Sequence, residues 1–179
     1  MSLPTTYVLG LGNGLMGDDG FGPAAVRAFE AEYAVGPSVA VIDVGTPGLD
    51  LTPWLADADR VIIVDTVKSA LPAGTLRVFD KAGLLRHPPS SRTGPHDPGV
   101  KEALLMLEFA GRAPREVALV GVVPDRTELG IQLSPAVSAA LPRAVEAIAD
   151  LLAHIGETPI RRSRPPAAMP WSSRTRTAA

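Results

Sequence analysis

Asp18 and Asp19 lie in a glycine-dense turn, Asp65 ends an apolar run, and His96 stands just ahead of a helix start. These are the residues whose types and positions could do chemistry. Two carboxylates and an imidazole gathered from different strand ends would make a three-ligand metal site with room for water or substrate. The candidates are Asp19 or Asp18, together with Asp65 and His96. Each has a plainer role on its own, since a strand-end aspartate commonly serves a turn or cap and a loop histidine is usually only solvated. It is their convergence on one edge that points to a site. Asp18 has a competing role as a dipole partner at the start of the first helix. Asp43 has one as the acceptor that holds the Gly45-Thr46-Pro47-Gly48 turn. His87 falls in a proline-rich stretch, and His154 falls near the end of the last helix, where a dipole contact suffices.

The elements that must position these residues are legible from pattern. The apolar run Tyr7–Leu11 predicts a strand, followed by a turn through Gly12, Gly14 and Gly17. A helix follows, with Pro23 in its first turn and Val26, Phe29 and Tyr33 on its buried face. Val39 to Asp43 reads as a second strand, and Leu49 to Leu55 as a brief helical segment. The continuous β-branched run from Arg60 to Asp65 predicts a strand buried on both faces. Gly74 to Phe79 alternates and reads as a fourth strand, and the proline- and serine-rich stretch Arg86 to Gly94 as an exposed loop. Asp97 before Pro98 predicts a helix start with Val100, Ala103, Leu104 and Leu107 facing the core. Glu116 to Val123 is a fifth strand, and Ser134 caps a last helix that Pro142 should kink or restart.

The order βαβ(α)ββαβα predicts an α/β three-layer sandwich, a mostly parallel five-stranded sheet with helices on both faces. Such sheets bind ligands beyond the carboxyl ends of their strands. Asp18, Asp19, Asp43 and Asp65 all follow strands and should share that edge.

Composition removes other chemistries. The chain has 179 residues and no cysteine, so disulfides, thiolate nucleophiles and cysteine zinc sites are excluded. Neither a Gly-x-Ser-x-Gly elbow nor a His-Glu-x-x-His pair occurs. No apolar run reaches the ~18 residues of a membrane span, and a cytoplasmic protein without a nucleic-acid or membrane partner is the expectation, as is a monomer. All 19 acidic residues lie at or before Glu157, while five of the 17 basic ones follow Pro159. Residues 1–157 are therefore expected to form one domain, and 158–179 a basic, disordered tail. Gly12-Asn13-Gly14-Leu15-Met16-Gly17 also fits a dinucleotide fingerprint, with Asp43 ending the next strand. Two carboxylates at the helix start oppose a pyrophosphate there, which disfavours that reading.

Gly10-Leu11-Gly12-Asn13, Asp18-Asp19-Gly20-Phe21-Gly22, Ile63-Val64-Asp65, Pro95-His96 and Val120-Gly121-Val122-Val123-Pro124 occur in an order that resembles the hydrogenase maturation endopeptidases. The likeness runs from about Tyr7 to about Leu152. Members of that family remove a C-terminal extension from the large-subunit precursor of nickel–iron hydrogenases after nickel insertion. The resemblance implies a twisted five-stranded sheet between helices, with Asp19, Asp65 and His96 as the metal-binding and catalytic positions. It also implies nickel presented by the precursor, and the Gly45–Gly48 loop beside the site. A non-proteolytic nickel-sensing chaperone of the precursor would use the same three ligands. Many members have glutamate where this chain has Asp19, a side chain one methylene longer, or about 1.5 Å.

Overall fold

The computed structural model describes residues 5–46, 51–56, 58–86 and 99–163. The elements in chain order are β1 (Thr6–Leu11), a 3-10 turn (Gly17–Gly20), α1 (Phe21–Glu32), β2 (Tyr33–Ala34), β3 (Val39–Gly45), α2 (Thr52–Leu55), β4 (Arg60–Thr66), β5 (Leu76–Asp80), α3 (Lys81–Arg86), α4 (Val100–Phe109), β6 (Glu116–Val122), α5 (Pro135–Ser138), α6 (Leu141–His154) and β7 (Ile160–Arg161). Five strands form one sheet in the order β3-β1-β4-β6-β5. All neighbours run parallel except β5, which is antiparallel to β6.

Period-two alternation divides the core between the two faces of this sheet. Val8, Ile62, Val64, Val120 and Val122 point toward α1 and α6, where Phe29, Ile148 and Leu152 meet them. Leu9, Val61, Ile63, Val117 and Leu119 point the other way, toward Leu55, Leu84, Leu104 and Leu107 of α2, α3 and α4. Large side chains such as Phe29 and Leu152 are wholly buried, each contributing about 1.5–3 kcal/mol. The result is a sheet between two helical layers, as the alternation of strand and helix patterns predicts.

Several details depart from the sequence-based expectation. The first helix begins at Phe21, because a 3-10 turn carries Asp18 and Asp19 into it. The fourth strand runs antiparallel, a direction that residue alternation does not encode, and α3 follows it directly. The last helix instead follows the expectation: Pro142 restarts it, so that α5, capped by Ser134 through the Val137 amide at 3.4 Å, is separate from α6. The fourth helix starts at Val100 behind Gly99. The proposed Asp97–Pro98 start lies outside the described residues, as do nearly all of the Arg86–Gly94 loop and the Pro47-Gly48 half of the turn after β3.

Residues 158–163 do not follow the expectation of disorder. Tyr33 and Ala34 pair antiparallel with Arg161 and Ile160. The Arg162 amide donates to Glu32 O at 2.6 Å, and its Nε to Glu30 O and Tyr33 O, both at 3.0 Å. The last carbonyls of α1 have no partners within their own helix, and these donors satisfy them. Composition concealed this, because the pairing uses backbone groups and two arginines rather than an apolar stripe. The tail from residue 164 lies outside the described residues.

Candidate functional site

The chain enters the sheet at β1, crosses through α1 to β3 on one side, and returns through α2 on the other face to β4 on the opposite side of β1. Crossovers of opposite sense open a crevice at the carboxyl ends of β1 and β4. Asp19 follows β1 and Asp65 is the penultimate residue of β4.

Two glycines let these segments approach. Gly12 has φ +126°, and a Cβ there would stand 1.8 Å from Asp19 O. A Cβ on Gly22, at the start of α1, would meet Leu11 O at 2.1 Å and Val64 O at 2.4 Å. Any larger residue at either position would push the 3-10 turn or α1 off the ends of β1 and β4. The Gly12 amide also donates to Gly45 O at 2.8 Å, which joins the first loop to the end of β3.

Asp19 is 4% exposed, and its Oδ2 accepts from the Asn13 amide at 2.8 Å. Asp65 is 1% exposed, and its Oδ1 accepts from the Thr66 amide at 2.7 Å. Gly10 is paired with Val64, so Asp65 is one residue beyond that pair, level with the exit of β1. The 3-10 turn touches β4, which brings the Asp19 segment to the end of the strand carrying Asp65. Burying carboxylates is costly unless other groups answer their charge, which makes two such groups at one crevice candidates for a functional role. His96 lies outside the described residues. Among the described residues no cluster of three histidine, cysteine, aspartate or glutamate side chains could hold a metal.

Asp18 belongs to a different part of the structure. It is fully buried, and its Oδ2 accepts from the amides of Asp125 at 2.8 Å and Arg126 at 3.1 Å and from the Ser134 hydroxyl at 2.9 Å. Its Oδ1 accepts from the Ser134 amide at 2.6 Å. Burial disfavours the charged carboxylate, but the amides of Ser134, Arg126 and Asp125 and the Ser134 hydroxyl outweigh it and hold the group below the usual aspartate range. Asp18 is thus neither a ligand candidate nor a helix-dipole partner. It clamps the β6–α5 loop against the turn that presents Asp19. Sequence reading missed this role, since its donors are mostly backbone amides more than a hundred residues away. Asp43 holds its turn as expected, accepting from the Gly45 amide at 3.1 Å, and also pairs with Arg27.

A cavity of about 380 Å³ opens at the opposite edge of the sheet, between Arg60, Lys81, Arg115, Glu116 and Leu151. Its arginines pair with Asp59 and Glu116, and Lys81 with Glu108. It holds neither Asp19 nor Asp65, and the crevice geometry outweighs its size as a guide to chemistry.

Comparison with known proteins identifies the family and the fold. A family described as hydrogenase maturation protease matches residues 23–151. The hydrogenase expression/formation protein HoxM of Cupriavidus necator is 34% identical over 156 residues, covering 87% of this chain and 77% of the relative. The hydrogenase 2 maturation protease of Escherichia coli is 34% identical over 158 residues, covering 87% and 94%. The solved structure of the hydrogenase maturating endopeptidase HybD from E. coli superposes with a TM-score of 0.80 at 33% identity, over 88% of this chain and 98% of that one.

Proposed function

The chain belongs to the hydrogenase maturation protease family, and from that premise we propose that it is an endopeptidase that removes the C-terminal extension of a nickel–iron hydrogenase large-subunit precursor. In this proposal it recognises the nickel already seated in the precursor through Asp19, Asp65 and His96. The observation that carries the reading is the pair of buried carboxylates at the β1/β4 crevice. Carboxylate and imidazole donors suit a borderline divalent metal, so the residues fit nickel arriving as part of the substrate.

Asp19 and Asp65 would each offer a carboxylate oxygen, and His96 a ring nitrogen. Held there, the metal would polarise the scissile carbonyl or a water molecule. The residues themselves orient the precursor's metal centre against the crevice, and the low exposure of both acids keeps bulk water from competing for them. The chain has no cysteine and its sequence carries no recognisable serine triad, which disfavours an acyl-enzyme route.

Purified protein incubated with nickel-loaded precursor should yield a large subunit shortened by a discrete mass, and nickel-free precursor should stay intact. D65A and H96A should abolish the shortening while keeping the wild-type circular dichroism spectrum. Processing retained by either variant would remove that residue from the site. Cleavage of both precursor forms alike would refute metal recognition and leave the protease. Tight binding of loaded precursor without any mass change would instead identify a chaperone.

A further inference from the structure

Leu15, Leu129 and Ile131 are 60%, 86% and 79% exposed. They flank one backbone bridge between Met16 and Gly130, in which the Gly130 amide donates to Leu15 O at 2.9 Å and the Gly17 amide to Gly130 O at 2.7 Å. Large apolar side chains scattered singly over a surface need no explanation, whereas a group of them marks a contact site. This group sits on a loop that is tied down. The buried Asp18 carboxylate holds Asp125, Arg126 and Ser134, and the Asp18 amide donates to Arg126 O at 3.0 Å. Apolar side chains on a fixed backbone bind with less ordering cost than on a mobile one.

Position identifies the occupant. Leu15 precedes Asp19 by four residues, which at about 3.6 Å per residue places the two within roughly 14 Å. A protein–protein interface of ordinary size covers about 800 Å² on each partner, a disc of roughly 16 Å radius. A folded protein presenting its chain to Asp19 therefore reaches the Leu15 segment and the Gly130 loop bonded to it.

We propose that Leu15, Leu129 and Ile131 form the docking surface for the protein substrate, receiving an apolar part of the precursor next to the segment being cut. This rests on the protease reading above and adds to it where the substrate is held. Leu105, Met106 and Phe109 form a second exposed apolar group on α4, and F109D there tests whether the effect belongs to the surface beside Asp19 or to any exposed apolar group.

The test is cleavage and direct binding of nickel-loaded precursor by the wild type, the L129D/I131D pair and F109D. The pair should raise KM and the dissociation constant about tenfold or more and leave kcat within about twofold. F109D should match the wild type. Wild-type KM and affinity in the pair would overturn the proposal. So would a fall in kcat at unchanged KM, which marks a disturbed Asp19 rather than lost docking. If the wild type does not cut the precursor at all, the protease reading fails on its own. Binding then decides the surface, with weakened binding by the pair supporting it and unchanged binding overturning it.

Discussion

Asp18 and Asp19 are adjacent, similar in burial and chemically identical, yet the fold gives them different work. Asp18 receives four hydrogen bonds from the β6–α5 loop, and Asp19 lies at the β1/β4 crevice. Replacing Asp18 by asparagine removes the charge and turns an amide donor toward groups that are themselves donors. D18N should lower stability by about 2–4 kcal/mol at neutral pH, measured by denaturant unfolding. The pH dependence has a definite sign. The native pKa lies below the ordinary aspartate value of 3.8, so the unfolded chain binds this proton first as pH falls. The contribution of Asp18 is complete above 3.8 and is lost as pH drops through its depressed native value. The stability gap between wild type and D18N should accordingly narrow on acidification below that range, and a gap that stays constant would show that the charge is not what matters.

At the level of elements, α1 starts at the crevice and ends at the far edge of the sheet, where β2 and β7 meet. Arg161 pairs with Glu32 and Glu146, and Arg162 satisfies the closing carbonyls of α1. The ion pairs are exposed and worth little individually, so R161A/R162A should lower the melting temperature by no more than a few degrees, measured by calorimetry. Precursor cleavage at a temperature well below melting should be unaffected, since the pairing is remote from Asp19 and Asp65. The central strands could be read directly from sequence, because Val61 to Val64 is apolar and β-branched throughout and only a sheet covered on both faces buries such a run. The direction of β5 could not, since alternation is the same for either polarity. Neither could β7, whose two residues have no period and whose partners are backbone groups. Of the candidate site, the strand-end acids were legible by position; pattern alone left Asp18 and Asp19 open and the family resemblance pointed to Asp19, whereas the partners of Asp18 on the β6–α5 loop became visible only in the fold.

Across the molecule, the candidate site is assembled from segments far apart in the chain. Asp18 is 107 residues from Asp125 and 116 from Ser134, and β4 lies between β1 and β6 in the sheet. The Ser134 amide, bonded at 2.6 Å inside the core, should exchange its hydrogen only through global unfolding. In native-state exchange its opening free energy should equal that of the slowest amides in β4. Faster exchange at Ser134 would show that the loop opens independently. A loop of this length must close before its contacts can stabilise anything. During synthesis, the 3-10 turn therefore waits for Ser134 to be made before Asp18 can gather its donors. A ribosome-bound or truncated chain ending before that residue lacks the support that sets Asp19 in place, so a protease able to cut exists only once nearly the whole domain has been made.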